Sequence, residues 1–338
     1  MKKIKNFKWD TDRVFAVGLL IFGLVLPIFM SSYNANIFAN FYASVLLCFS
    51  LVFIWGYCGT FSFGQAAFYG LGAYVYGVIA GNLPNMSLTP LAAILAVGIV
   101  FLFALALGYF MFYGGVNDVF VSIITLCLTL ALATFFGQTA GPQWTIGKVA
   151  LGGYNGMNGI PKLQIGTYAL MGKPFYYVVF AIVIIVLFIL KHVERSKSGY
   201  TMFAIRENRE RSALFGYNTA KIQMVVFAIG GAIAALAGVL YASWGGYVNP
   251  VSMSMTQATI PVVIVAAGGR KSPTGAMIFG LLYYFVANKL AAAGNEYALI
   301  ILGVALVLVV LFVPQGLFKS MFDFIDSRIA AQKAKKVA

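Results

Sequence analysis

The sequence predicts an all-α polytopic membrane protein of about ten transmembrane helices, and three observations predict it. From Val14 to Asn117 the chain runs 104 residues without an Asp, Glu, Lys or Arg. A charged side chain at the bilayer centre costs roughly 2.5–3.5 kcal/mol on insertion scales, so lipid selects such runs. The 338 residues are 61% hydrophobic and 9% charged, where a soluble protein is about 25% charged. Apolar runs long enough to cross a hydrocarbon core of about 30 Å then recur along the chain.

Those runs place spans at 14–30, 37–56, 61–80, 90–113, 119–137, 175–191, 222–241, 251–269, 274–290 and 297–313. They divide the chain into an N-terminal tail (1–13), a transmembrane domain (14–313) and a C-terminal tail (314–338) that reads as a short surface helix. Within the domain, 138–174 is the longest external loop and 192–221 the longest internal one. With both termini in the cytoplasm, 19 Lys and Arg fall inside and four fall outside (Lys148, Lys162, Lys173 and Lys289), as the positive-inside rule requires. The eighth span is irregular. The stretch 257–269 has only 13 residues, about 20 Å of helix, and Pro261 and Gly268–Gly269 interrupt it, so the crossing borrows residues from Val251 onward.

Composition excludes several classes. The net charge of +14 comes from tails and loops beside apolar runs, which is topology rather than a nucleic-acid surface. Cys48, Cys58 and Cys127 lie in or beside apolar segments and read as small hydrophobes, not as disulfides or metal ligands. His192 is the only histidine, so no His-based metal site is expected, and no cofactor is implied. The basic start MKKIKNFK is not followed by a small-x-small cleavage site.

Two helix breaks stand out. In GTFSFGQAAFYGLGAY (Gly59–Tyr74), Gly56 and Gly59 end the preceding span, and Ser62 precedes Gln65 at capping-box spacing. Gly64, Gly70, Gly72 and Gly77 either bring backbones close or leave room for a passage. A tight turn before an ordinary packed helix fits the same residues equally well. In GGRKSPTGAMIFGLLY (Gly268–Tyr283), Ser272 caps a helix with Pro273 at its first position and Gly275 and Gly280 behind. Both helices follow a glycine-ended span in the same direction, which is a weak parallel internal repeat of spans two to five with seven to ten. Ser62, Gly64, Gln65, Gly70, Gly72, Ser272 and Gly275 are therefore the candidate path residues, and a bulky residue at Gly72 is expected to block passage while the protein still assembles.

The internal loop offers a different candidate. Thr201–Gln223 holds Ile205, Arg206, Glu207, Arg209, Glu210 and Arg211, then Ala213, Leu214, Phe215 and Gly216. The charges fit one short surface helix stopped at Gly216, with Met202, Ile205 and Phe215 left free of the neighbouring spans. Either it is a solvated loop or it docks a cytosolic partner.

Absences narrow the class further. Asp118, Lys289 and Glu296 fall near span ends, so no midplane ionisable group suggests proton or sodium coupling. There is no TVGYG-type filter, and GPQWTIGK (Gly141–Lys148) fails the phosphate-loop spacing. No catalytic cluster suggests an enzyme.

GTFSFGQAAFYGLGAY, LGGYNGMNGIP, the Arg-Glu-Asn loop ending in FGYN, AIAALAGVLYA and VLFVPQGLF occur in that order. Together they resemble membrane permeases of the branched-chain amino-acid class of ABC importers, from about residue 20 to 318. The resemblance is greatest to the subunit type with the longer external loop. It implies a second permease subunit, usually a different chain, two cytosolic ATP-binding subunits and an external solute-binding protein, in a bacterial plasma membrane. It implies a branched-chain or other amino acid, or a urea- or amide-like compound, as solute. It also implies that Thr201–Gly216 is the helix that meets the ATPase, with Ile205, Arg206, Glu207, Glu210, Arg211 and Ala213–Gly216 as contacts, although Arg209 and Arg211 make the segment more basic than is usual there. The rival expectation is an ATP-independent channel or facilitator for a small neutral solute, which would not need the long internal loop.

Overall fold

Each of the first nine apolar runs folds as a helix, and two further helices form in the internal loop. A computed structural model describes residues 11–293, 303–304, 311–313 and 316–337. In chain order the helices are α1 (Thr11–Phe29), α2 (Ser32–Leu51, continued by a π-helical turn, Val52–Tyr57), α3 (Gln65–Gly81), α4 (Thr89–Tyr113), α5 (Asp118–Gln138), α6 (Lys173–Glu194), α7 (Lys197–Glu207), α8 (Arg209–Leu214), α9 (Thr219–Gly245), α10 (Met255–Gly268), α11 (Pro273–Ala292) and α12 (Leu317–Val337). Seven of them, α1, α2 with its π turn, α4, α5, α6, α9 and α11, are long and apolar enough to cross a membrane. The 17 residues of α3 and 14 of α10 give only about 26 and 21 Å of helix. These are helices of the two break regions. The run 297–313 lies largely outside the described residues.

Local chemistry sets the helix starts. Ser31 accepts from the Asn34 amide at 3.2 Å and Asn117 from the Val119 amide at 2.9 Å, while α4 and α6 carry Pro in their first turn. The core is built on small residues. Along α4, Ala92, Ala96, Val100, Ala104 and Gly108 form a buried stripe at four-residue spacing, facing α9, while Leu91, Ile94, Leu95 and Leu102 point outward. In α9, Gly230, Gly231, Ala234, Ala235 and Gly238 let α2, α3 and α4 approach closely. Lipid is as apolar as Leu, so van der Waals contact between small residues, rather than hydrophobicity, selects the buried face.

Hydrogen bonds sort the helix ends into two groups. At one end Lys191 pairs with Asp12 at 2.7 Å, Arg206 donates to Gly56 O at 2.7 Å, and Gln223 reaches Thr60 at 3.3 Å. This charged end holds α7 and α8. At the other end the Trp244 indole donates to Asn36 O at 2.8 Å, the Gln164 amide to Thr89 Oγ1 at 2.9 Å, and Asn82 Nδ2 to Ile146 O at 2.9 Å.

Three two-stranded antiparallel pairs cover that second end: β1 (Thr145–Ile146) with β2 (Val149–Ala150), β4 (Gln164–Ile165) with β5 (Tyr168–Ala169), and β3 (Met157–Asn158) with β6 (Tyr247–Val248). The last pair ties the glycine-rich loop to the α9–α10 connection. That connection is irregular inside the bundle: after Pro250–Met253, a 3₁₀ turn, the Met253 side chain lies against Gly70 in α3.

Two expectations need correction. The tail helix is not short: α12 has 21 residues and packs on α1. Phe322 of α12 is buried against Phe15 with ring centroids 4.9 Å apart, and the Thr11 amide donates to Asp326 at 3.1 Å. The internal loop is also not one helix. Asn208 leaves the helical conformation, its side chain accepts from the Arg211 amide at 2.7 Å, and it thereby ends α7 and caps α8.

Candidate functional site

The first break is tightly plugged. Ser62 and Gln65 are both buried, yet they form no capping box. The α3 helix begins at Gln65 itself, with Gly64 as its N-cap, so the two residues do not occupy the required positions. Ser62 Oγ instead accepts from the Gly64 amide at 3.0 Å, and the Gln65 amide group faces Ser50 Oγ at 3.0 Å. Thr125 Oγ1 accepts from the Phe63 amide at 3.2 Å and Ser122 donates to Phe61 O at 2.9 Å, so α5 supplies the polar partners this non-helical segment lacks. Among the described residues, Gln65 Nε2, Gln223 Oε1 and Thr274 Oγ1 have no hydrogen-bond partner.

The second break forms as its sequence implies. Ser272 Oγ accepts from the Gly275 amide at 3.0 Å, Pro273 opens α11, and the Ser272 hydroxyl lies 3.2 Å from Asp12 Oδ1. The two breaks touch. A Cβ on Gly56 would fall 2.0 Å from the Arg270 carbonyl oxygen, and the Arg270 guanidinium lies 5.0 Å over the Trp55 ring.

The glycines chosen from sequence occupy seams between elements. A Cβ at Gly64 would meet Thr125, at Gly70 Met253, at Gly72 the Ala235 backbone, and at Gly275 the Gly268 carbonyl. An open cleft of about 490 Å³ occurs instead at the far end of α3. Gly77, Gly81, Lys148, Gly152, Asn155 and Asn158 are among the residues that line it.

The internal loop divides into an anchored and a free part. Met202 and Ile205 are buried against the chain's own spans, contrary to the expectation that they stay free. Phe203 meets Tyr57 edge-on at 5.4 Å, and the Arg209 guanidinium lies 3.4 Å from both Val116 O and Phe112 O. Arg206 also turns inward, with its side chain 17% exposed. Burial lowers its proton affinity, Glu207 opposes that shift, and the guanidinium stays charged. The free part is the outer face of α8 together with the turn at Phe215 and Gly216. Leu214 is 89% and Phe215 77% exposed, and Glu207, Glu210, Arg211, Ala213 and Gly216 face out as well. Sequence reasoning treated Arg270 and Lys271 only as topology markers, yet Lys271 Nζ lies 4.0 Å from Glu207 and so joins the second break to the loop. A basic pair inside a glycine break was the signal.

The family described as branched-chain amino acid transport system / permease component matches residues 33–310, and the chain belongs to it. It is therefore a multi-pass membrane transport permease rather than an enzyme. The permease protein LivM of a high-affinity branched-chain amino acid transport system in Escherichia coli K12 is 25% identical over 332 residues, covering 90% of this chain and 75% of the relative. The LivH permease protein of Salmonella typhimurium is 26% identical, covering 84% of this chain and 93% of the relative. BraD of Pseudomonas aeruginosa is 28% identical, covering 82% and 91%. No solved structure matches the chain.

Proposed function

We propose that this permease forms half of the translocation path of an ATP-driven importer for a branched-chain or related amino acid, with urea- or amide-like compounds as the next solute class. Its partners are a second, different permease subunit, two cytosolic ATP-binding subunits and an external solute-binding protein. It lies in the bacterial plasma membrane with both termini and the charged end in the cytoplasm. The relatives' names support the solute class, and resemblance to both LivM-type and LivH-type proteins supports pairing of two permease chains. The basic residues gathered at the charged end support the orientation.

One observation carries the ATPase role. Leu214 and Phe215 are largely exposed at the tip of a loop whose base buries Met202 and Ile205 and is hydrogen-bonded to the end of α2, to α4 and to the α4–α5 turn. A firmly based loop that presents an apolar pair among charges has the form of a rigid docking element, able to pass on a rigid-body motion. Glu207, Glu210 and Arg211 fix orientation around it. Ile205 serves the base rather than the contact.

The test uses the assembled complex in liposomes. Phe215→Asp removes a central anchor worth roughly 2 kcal/mol or more of docking, so solute-stimulated ATP hydrolysis is lost while the external binding protein still docks on the opposite face. Uptake by the purified permease without ATP-binding subunits would instead establish the facilitator, and stimulation unchanged in Phe215→Asp would remove the docking role of this apolar pair.

A further inference from the structure

We infer that Arg206 is the positioning residue through which the internal loop holds the first helix break, so that movement of the loop is passed to the end of α2 and the segment leading into α3 by way of this side chain. The inference rests on the docking role proposed for the loop. It gives Arg206 a different task from an ATPase contact: the side chain points into the permease.

The geometry begins at the end of α2. The π-helical turn Val52–Tyr57 loosens the regular bonding, and single π turns inside α-helices are frequent at functional sites. Gly59, at φ +84°, then stops the helix, so Gly56 O is one of the terminal carbonyls left without a helical partner. Arg206 Nη1 donates to that oxygen at 2.7 Å. A cation at the negative end of the helix is favoured by the aligned peptide dipoles, and a charged donor makes a stronger bond than a neutral one.

Contacts around this bond leave little slack. A Cβ on Gly59 would fall 2.8 Å from Arg206 Cγ and 3.1 Å from its Cα, so the α7 backbone lies directly on the break. Phe203, one turn earlier, meets Tyr57 of the π turn, and Tyr57 OH donates to Leu190 O at 3.3 Å. On the opposite side Gly56 lies against the Arg270 carbonyl of the second break. Glu207 is 4.0 Å from both Arg206 and Lys271, so the two breaks and the loop form one connected group. A shift of α7 therefore cannot leave residues 56–60 where they are without breaking the Arg206 bond.

The experiment compares Arg206→Met, Arg206→Lys and wild type in the complex assembled with its ATP-binding and solute-binding subunits in liposomes. Amino-acid uptake and ATP hydrolysis are measured together. Arg206→Met is expected to assemble and hydrolyse ATP but to move about tenfold less solute per ATP, within the range of coupling between two sites. Arg206→Lys, which keeps a charged donor, restores the ratio to within about threefold of wild type. An unchanged ratio in Arg206→Met overturns the inference, and so does failure of Arg206→Lys to do better than Arg206→Met. Loss of ATPase stimulation in Arg206→Met with assembly intact also overturns it, because that outcome belongs to a docking contact such as Phe215. Should Arg206→Met fail to assemble, hydrogen exchange in the wild-type complex decides. Protection of residues 54–60 and 199–207 should change together between nucleotide-free and ATP-trapped states, and a change confined to the loop refutes the link. Stimulation that survives Phe215→Asp removes the docking reading itself, independently of any Arg206 result.

Discussion

Gly72 of α3 lies against the backbone of Ala235 in α9: a Cβ on Gly72 would fall 2.4 Å from the Ala235 carbonyl oxygen and 2.7 Å from its Cα. No side-chain rotation relieves a clash with backbone, so any substitution must part the two helices. Gly72→Ala is expected to cost about 1–3 kcal/mol, and Gly72→Leu to prevent folding rather than block a passage. Thermal unfolding in detergent measures this. Gly98→Ala, where a Cβ meets nothing within 4 Å, is the control and should leave the melting temperature unchanged or higher.

Asp12 and Lys191 join α1 to α6 through a 2.7 Å ion pair whose side chains are 20% and 9% exposed, and Asp12 passes the connection to Ser272 at the head of α11. Removing one partner of a buried pair costs roughly 3–5 kcal/mol, and the partial exposure of Asp12 puts this pair toward the lower end. Asp12→Asn and Lys191→Met should each destabilise the protein clearly. The double variant should recover most of that loss, because no uncompensated charge stays buried. A double-mutant cycle on melting temperature gives the coupling, and strict additivity would show that the pair contributes nothing.

The span pattern was legible because hydrocarbon excludes charge, which leaves unbroken apolar runs from Val14 onward. The Ser272–Pro273 start was legible because capping is local. What hydropathy does not contain is which face of each helix is buried. The α4 helix is apolar all round, and only residue size separates the Ala92–Gly108 stripe from its lipid-type neighbours. The Ser62–Gln65 spacing misled because a cap depends on where the helix begins, and contacts with α5 set that point. The inward turn of Phe203 and Arg206 was hidden for a related reason: their partners, Tyr57 and Gly56, lie about 150 residues away along the chain.

Sidedness follows from the proposed orientation and is directly measurable. Gly153 is buried at a tight turn, so a label belongs at its neighbour Tyr154, which is 77% exposed. In a background lacking Cys127, the one exposed cysteine among the described residues, Tyr154→Cys should react with an impermeant maleimide in whole cells. Leu214→Cys should react only after the membrane is opened. The opposite pattern would invert the topology and with it the assignment of α8 to a cytosolic partner.

At the far end, Gly156 holds the external loop against the α9–α10 connection. Its φ is +74°, and a Cβ would fall 2.2 Å from the Val248 carbonyl oxygen. Beside it Met157 and Asn158 pair with Val248 and Tyr247, and the Ile160 amide donates to Gly246 O at 2.9 Å. Gly156→Ala therefore strains the backbone and pushes β3 from β6 together, opening the wall of the 490 Å³ cleft that Gly156 lines. Gly166→Ala is the matched control: its φ is +62° but its Cβ would meet nothing within 4 Å, so it carries only the left-handed strain of about 1–2 kcal/mol. Limited proteolysis of residues 138–174 should accelerate by about tenfold in Gly156→Ala, as expected for a local opening made easier, and much less in Gly166→Ala. Binding-protein docking should weaken in the first variant alone. Equal protease sensitivity in the two variants would mean that the β3–β6 pair does not hold the loop, and that the cleft is shaped by β1, β2 and α3 instead.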